Sequence, residues 1–168
     1  KRLSLNPVEE DIFIDKDLSM KDYLNEIIMS FKDISKKNFI FNYEQYSNAR
    51  KITKSIEIIY GLRNFIGNAN KFCSSNVFIN LKSDSKITEI VIEDDGNGYP
   101  KDVLPKIGEP YLKSNEFKEN SKIGLGLGLF IGKTLLEKNF ASINCRNSET
   151  RGGAEVIIKW KNKELFNI

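Results

Sequence analysis

The chain has 168 residues, of which 40% are hydrophobic and 29% are charged, and its formal net charge is +3. This length suits one domain, and the composition is that of a globular protein rather than a disordered or fibrous one. The 26 basic residues are interspersed with 23 acidic residues, which argues against a nucleic-acid-binding protein, and no apolar run approaches the roughly 20 residues that span a bilayer.

Residues 1–18 lack periodicity and contain Pro7 among acidic residues, and we interpret them as a linker from a domain that is missing here, with the predicted domain over 19–168. Apolar periodicity predicts the following elements in chain order: helix Met20–Ile34, strand Asn38–Glu44, helix Ser55–Phe72, strand Asn76–Lys82, strand Lys86–Asp94, an irregular stretch Gly96–Ile123, helix Leu125–Lys138, and strands Ala141–Asn147 and Gly153–Trp160. This order predicts an α+β fold, a two-layer α/β sandwich whose mixed sheet of about five strands is covered on one face by about three helices.

The helix IEIIYGLRNFIGNANKF carries three polar residues on one side. At about 100° per residue, Asn64, Asn68 and Lys71 fall within about 60° of one another. The opposite side, which we expect to face the sheet, carries four apolar residues: Ile59, Leu62, Ile66 and Ala69. Amide oxygens suit Mg²⁺ and an ammonium suits phosphate oxygens, so the trio predicts a metal–polyphosphate site, with ordinary surface polarity as the alternative.

The next motif is VIEDDGNGYP, in which a predicted buried strand ends at Asp94 and is followed by Gly96 and Gly98. A carboxylate at a strand end can accept a hydrogen bond from an exocyclic amine, and such charge-assisted bonds contribute about 1.5–3 kcal/mol. The stretch lacks the distal Glu of an EF-hand loop. It therefore favours contact with a nucleobase over binding of calcium.

The stretch GLGLGLFIGKTLLEK contains a Gly-Lys-Thr but does not fit a P-loop, because the required glycine position is Leu127. A dinucleotide GxGxxG also fails, at Ile131. We predict that Gly132 is a close-packing position within a helix and that Lys133 is a solvated lysine. The alternating glycines before them open this helix, where backbone amides and the positive helix end favour an anion; a flexible hinge is the alternative.

The chain contains no histidine, which removes the commonest general base and the commonest metal ligand from the candidates. Cys73 and Cys145 are far apart and form no CxxC pair, which indicates two reduced thiols in a cytosolic protein. A redox role for Cys73, directly after the polar helix, is the alternative to simple burial.

These pieces, in this order, resemble the GHKL (Bergerat-fold) ATP-binding domains, and specifically those of sensor histidine kinases. Four motifs carry the resemblance: an N box Asn64-x-x-x-Asn68-Ala-x-Lys71-Phe72, a G1 box Asp94-x-Gly96-x-Gly98, an F box Glu109-Pro110-Tyr111, and a G2 box Gly124-x-Gly126-Leu-Gly128-Leu129. The resemblance covers about Met20 to Trp160. GLRNFIGNA, GEPY and GLGLGLFIGKTLLEK are most similar to the RegB/PrrB redox-responsive kinases.

The resemblance implies a role for each matching residue. Asn68 would hold Mg²⁺, Asn64 would lie near the phosphates, and Lys71 would contact a phosphate; these three are the implied catalytic residues. Phe72 would pack against adenine, and Asp94 would accept a hydrogen bond from the adenine amino group.

The other implied ATP contacts come from the glycines and the lid. Tyr111 would anchor the lid and Lys122 would reach the phosphate tail. The remaining implied contacts are Gly96, Gly98, Gly124, Gly126, Leu127 and Gly128, and the three G2-box glycines among them would hinge the lid. The chain departs from the family pattern because its F box lacks the paired Phe and Gly152–Ala154 lacks a threonine.

Relatives that hydrolyse ATP, such as gyrase, carry a Glu where this chain has Asn64. An amide cannot act as a base, so the resemblance implies a protein-histidine kinase domain that presents the ATP γ-phosphoryl group to a histidine on its own separate dimerisation domain. It further implies a response regulator as partner, no nucleic-acid partner, and a membrane-anchored homodimer at the inner membrane with this domain in the cytoplasm. The alternatives are an anti-sigma-factor-type Ser/Thr kinase, a non-catalytic ATP-gated interaction module, and a degenerate domain without nucleotide.

Overall fold

The computed structural model describes residues 18–44, 51–52, 55–107 and 122–166, and within 122–126 only the course of the backbone. The elements in chain order are α1 (Met20–Lys32), β1 (Asn38–Tyr43), α2 (Ile56–Phe72), β2 (Asn76–Ser83), β3 (Ile87–Asp94), a 3-10 turn (Leu104–Lys106), α3 (Lys122–Lys138), β4 (Ser142–Asn147), β5 (Ala154–Lys161) and α4 (Asn162–Leu165).

The five strands form one mixed sheet in the order β1-β2-β3-β5-β4. The pair β1–β2 is parallel, and the pairs β2–β3, β3–β5 and β4–β5 are antiparallel. The last two strands form a hairpin, in which Asn147 pairs with Ala154. The predicted α+β fold with a mixed five-stranded sheet is confirmed.

The core lies between one face of this sheet and the helices. Alternate residues of β2, namely Val77, Ile79 and Leu81, are buried, and the four apolar residues predicted to face the sheet from α2 are all buried. Each such large side chain contributes about 1.5–3 kcal/mol when it leaves water. The other face of the sheet carries charged pairs such as Lys159 with Glu89, so the domain has two layers.

Two serines fix where α1 and α2 begin. The hydroxyl oxygens of Ser19 and Ser55 accept hydrogen bonds from the backbone amides of Asp22 and Ile58, at 3.3 Å each. Such N-caps satisfy amides that the first helical turn leaves unpaired. The helix α1 ends at Lys32, two residues before the predicted end, and Ile34 is left 83% exposed.

The predicted start of α3 at Leu125 is wrong, because the helix begins at Lys122. Glycine has a low helix propensity, and the predicted helix, which includes Gly126 and Gly128, excludes Gly124 and the two residues before it. Tertiary packing overrides that propensity, since Leu129 is fully buried against the core.

The helices α2 and α3 approach each other closely through glycines. A methyl group at Gly61 would lie 2.7 Å from the Leu136 side chain, and one at Gly132 would lie 2.8 Å from the Phe65 ring. The prediction that Gly132 is a close-packing position is therefore confirmed. Lys133 forms an ion pair with Glu137 at 2.9 Å on the outer side of α3.

Within the ranges that the structure describes, no helix combines the length and the apolar character needed to cross a bilayer.

Candidate functional site

Asp94 ends β3 and is only 4% exposed. Its Oδ1 accepts hydrogen bonds from the backbone amides of Gly96 at 2.8 Å and Ala154 at 3.3 Å. Burial raises the pKa of the Asp94 carboxyl, although these two amides act in the opposite direction. Its second oxygen, Oδ2, accepts no hydrogen bond from a described residue, so this oxygen remains available to a ligand.

Two glycines bring Asp94 next to the end of α2. A methyl group at Gly96 would overlap the carbonyl oxygen of Phe72, the last residue of α2. One at Gly153 would overlap both the backbone and the carboxylate of Asp94. The end of β3, the end of α2 and the start of β5 therefore meet at one point. This brings the G1 box at Asp94 next to the end of the N box at Phe72. Sequence reasoning missed Gly153, whose only signal was the Gly-Gly pair in the β4–β5 connection.

Asp95, the neighbour of Asp94, has a different surrounding. Its carboxylate accepts hydrogen bonds from the backbone amides of Ser74, Ser75 and Asn76 and from the side-chain amide of Asn76, at 2.9–3.2 Å. Burial alone would raise the pKa of Asp95, but these bonds outweigh it and lower the pKa to about 2. Asp95 thus ties the turn after α2 to the end of β3, a role that the sequence motif did not reveal.

The three polar residues of α2 lie outside the face that α2 buries against the sheet. The side-chain nitrogen Nδ2 of Asn64 donates to the carbonyl oxygen of Tyr60 at 2.8 Å. The corresponding nitrogen of Asn68 is buried and has no partner among the described residues. The ammonium of Lys71 is exposed and lies 5.4 Å from the centre of the Phe72 ring. A buried amide without a partner costs about 1–3 kcal/mol, so Asn68 is the residue of this group that most needs a ligand.

The N-terminal half of α3 lies against Asn68. A methyl group at Gly128 would lie 3.2 Å from Oδ1 and 3.3 Å from Nδ2 of Asn68, so only glycine lets the two helices meet here without displacing the amide. Since Gly132 meets Phe65 and Gly128 meets Asn68, α3 runs antiparallel to α2. Its N-terminus therefore points toward the end of α2 that bears Lys71. Leu127, between the glycines, is 54% exposed.

The other predicted site residues lie in the glycine motifs, in the F box and at the start of α3. Gly98 adopts φ +76°, a left-handed conformation that favours glycine. Gly124 and Gly126 lie in the first turns of α3. The F box with Glu109, Pro110 and Tyr111 lies outside the described residues, as does the side chain of Lys122.

The two cysteines are free thiols. Burial raises the pKa of the Cys73 thiol, and it raises that of Cys145 to about 11. Both thiols therefore stay protonated at neutral pH. Since the thiolate is the reactive form, burial keeps both cysteines unreactive. Among the described residues there is also no cluster of three Cys, Asp or Glu side chains that could hold a metal ion.

Comparison with known proteins agrees with this geometry. Residues 53–164, about two thirds of the chain, match the family described as histidine kinase-, DNA gyrase B- and HSP90-like ATPases. Sensor histidine kinase RegB of Cereibacter sphaeroides is 39% identical over 102 residues, which is 58% of this chain and 22% of RegB. Sensor protein RstB of Escherichia coli K12 is 31% identical over 99 residues, which is 59% of this chain and 23% of RstB. The chain thus spans about a fifth of the length of the curated relatives it matches.

Solved structures show the same fold. The mycobacterial sensor histidine kinase MprB has a TM-score of 0.69 at 20% identity, with 86% of this chain and 96% of that chain covered. The catalytic domain of histidine kinase ThkA has a TM-score of 0.69 at 18% identity, with 86% and 95% covered. With the site geometry and the family match in agreement, the chain belongs to the histidine kinase-, DNA gyrase B- and HSP90-like ATPase family, as a catalytic ATP-binding domain of the sensor histidine kinase type.

Proposed function

We propose that this domain binds Mg²⁺–ATP between α2, the end of β3 and the N-terminal half of α3, and presents the γ-phosphoryl group to a histidine on a separate dimerisation domain of the same protein. Phosphate would pass from there to a response regulator. The whole protein would be a homodimer anchored in the inner membrane, with residues 1–18 as the linker and 19–168 as the cytoplasmic ATP-binding domain.

The observation that carries this proposal is the pair of incompletely satisfied polar groups on neighbouring elements. Oδ2 of Asp94 is open at one end of the site, and Nδ2 of Asn68 is buried without a partner among the described residues at the other. Natural proteins rarely leave buried polar groups unpaired without a functional reason. An adenine amino group suits the carboxylate oxygen, and a phosphate oxygen suits the Nδ2 donor of Asn68, whose Oδ1 would be the atom that holds the metal.

The residues near Asn68 fit magnesium. Mg²⁺ binds through few protein ligands and keeps waters and phosphate oxygens as the rest of its shell, so one asparagine oxygen suffices and a carboxylate cluster is not needed. When bound, the ion would neutralise charge on the phosphate oxygens. Lys71 would add a point charge, since no described carboxylate forms an ion pair with its ammonium. The N-terminal amides of α3 would add backbone donors for the phosphates.

The chemistry of position 64 supports transfer rather than hydrolysis. The Asn64 amide already donates to Tyr60 of its own helix turn, and an amide cannot take a proton from water. Catalysis would therefore rest on positioning and on charge neutralisation, as is general for phosphoryl transfer. Because this chain has no histidine, a histidine acceptor must be supplied by another segment.

The test is a phosphotransfer assay with this chain, Mg²⁺ and radiolabelled ATP, with and without the histidine-bearing dimerisation domain of the full-length protein. We expect no label on the chain alone, acid-labile label on the added domain, and none when its acceptor histidine is replaced by Gln. Acid-stable label would indicate a Ser/Thr kinase. Binding of ATP without transfer, together with altered affinity for the partner domain, would indicate an ATP-gated interaction module.

A further inference from the structure

The side chain of Asn147, the last residue of β4, makes a two-point contact with a segment 48 residues earlier in the chain. Its Oδ1 accepts a hydrogen bond from the backbone amide of Tyr99 at 2.6 Å, and its Nδ2 donates to the backbone carbonyl of Tyr99 at 3.0 Å. The amide thus satisfies both backbone groups of Tyr99, as a neighbouring strand would.

The same side chain also defines the space beside Gly98. A methyl group at Gly98 would lie 2.8 Å from Oδ1 of Asn147, and Gly98 already needs a left-handed backbone. Glycine is therefore required at this position by conformation and by the contact with Asn147. The two constraints together fix the backbone conformation of residues 96–99, directly after Asp94.

The Tyr99 ring supplies a second attachment. Tyr99 is 7% exposed, and burial together with the nearby Cys145 thiol, two residues before Asn147 on β4, raises the pKa of its phenol. Without Asn147, the ring would keep Tyr99 near the sheet, while the backbone between Asp94 and Tyr99 would lose its only described side-chain attachment from β4.

We infer that Asn147 is a positioning residue for the nucleotide site, acting through the backbone of Gly98 and Tyr99 rather than by touching the nucleotide. This inference rests on the proposed function and names a residue outside the four sequence boxes. Asn147 is exposed and Tyr99 is buried, so the two hydrogen bonds are partly buried, and their loss leaves both backbone groups of Tyr99 without this partner. Within the nucleotide site, their effect is to remove local freedom from the backbone of residues 96–99 before ATP binds.

The test compares Asn147→Ala with Asn144→Ala, a matched control. Asn144 is also exposed on β4, and its side chain makes no hydrogen bond with the described residues. We expect Asn147→Ala to weaken ATP binding about tenfold, the cost of ordering one further residue's backbone on binding. We also expect faster hydrogen exchange at the Tyr99 amide in the absence of ATP. Asn144→Ala should change neither.

A third variant, Asn147→Ser, keeps an acceptor for the Tyr99 amide and should restore part of the affinity. In phosphotransfer, Asn147→Ala should raise KM for ATP more than it lowers kcat. If wild type binds ATP, two results would overturn the inference. One is an unchanged ATP affinity for Asn147→Ala, and the other is a loss of binding that is explained entirely by a smaller fraction of folded protein. A wild-type chain that fails to bind ATP would overturn the proposed function itself, and the exchange rate at Tyr99 would still report whether the contact orders the segment.

Discussion

The two ends of the α2–α3 pair use glycine for different purposes. At one end Gly61 and Gly132 let the helices touch, and the space is filled by the fully buried Leu136. At the other end Gly128 lies against Asn68, whose buried amide nitrogen has no described partner. The first end is packed like a protein core, whereas the second keeps a buried donor that has no partner in the described part of the chain. This contrast is why we propose the nucleotide site at the end where packing is incomplete.

The neighbouring carboxylates Asp94 and Asp95 show the same contrast on a smaller scale. Burial raises the pKa of Asp94, while hydrogen bonds from the turn after α2 lower the pKa of Asp95 to about 2. Asp95 is satisfied by the fold, and Asp94 is left with an open oxygen. The variants below test this division between structural and ligand-binding groups.

The largest expected effect is on ATP binding by Asp94→Asn. Replacing the acceptor by an amide removes a charge-assisted hydrogen bond, so affinity should fall about 10- to 100-fold. The melting temperature should stay equal or rise, because a buried charge is removed and Oδ1 can still accept from Gly96 and Ala154. Calorimetric titration with ATP measures the first effect and thermal unfolding the second.

The control for Asp94→Asn is Glu89→Gln, a charge removal on the opposite face of β3, where the carboxylate pairs with Lys159. It should leave ATP affinity unchanged. The wild-type affinity should also fall on acidification, starting above the ordinary Asp pKa of 3.8. An affinity equal to wild type in Asp94→Asn would contradict the assignment of Asp94 to adenine.

At the packed end, Gly132→Ala should reduce the free energy of unfolding by about 1–3 kcal/mol, because the methyl group would lie 2.8 Å from the Phe65 ring. Gly67→Ala is the matched control on α2, where a methyl group would lie 3.4 Å from the Phe31 ring, in ordinary contact. That control should gain about 0.5–1 kcal/mol from helix propensity. Urea unfolding of both variants gives the comparison, and equal effects would show that the helix crossing is not tight.

For Asp95→Asn we expect a loss of about 1–2 kcal/mol in unfolding free energy at pH 7, because charged hydrogen bonds become neutral ones. The folded-state pKa of Asp95 is lowered from 3.8 to about 2, so its contribution is complete above pH 3.8 and is lost as the pH falls toward 2. The difference between wild type and variant should therefore shrink across that window. A difference that does not depend on pH would mean that the charge of Asp95 is not what stabilises the turn.

The smallest effect should come from Phe140→Gly, just after α3. Phe140 is 65% exposed and has φ +72°, a conformation that costs a non-glycine residue about 1 kcal/mol. Glycine should therefore raise the unfolding free energy by about that amount, while Phe140→Ala, which keeps the Cβ atom, should give no gain. Thermal unfolding of the two variants separates backbone strain from loss of the ring.

The elements, and the side of α2 that carries the predicted site residues, followed from local pattern. The period of α2 placed Asn64, Asn68 and Lys71 away from its buried face, and the failed P-loop spacing correctly left Gly132 as a packing residue. Contacts between distant segments could not be predicted in this way. The bonds of Asp95 to the turn after α2 and of Asn147 to Tyr99 depend on how the elements meet, which no local spacing encodes.

The start of α3 was misplaced for a related reason. The low helix propensity of Gly124 favoured a start at Leu125, whereas packing of α3 through Gly128 and Leu129 stabilises a helix that begins three residues earlier. The left-handed backbone at Phe140 could not be predicted from the sequence, because phenylalanine rarely adopts a positive φ.

The most direct test of the central claim is calorimetric titration of wild type and Asn68→Ala with ATP, each with and without Mg²⁺. The account predicts that Mg²⁺ strengthens ATP binding to wild type and that this gain disappears in Asn68→Ala, while binding of ATP without the metal changes little. Equal gains from Mg²⁺ in both proteins, or no binding of ATP to wild type, would contradict the assignment of the unpaired Asn68 amide to the metal–nucleotide complex.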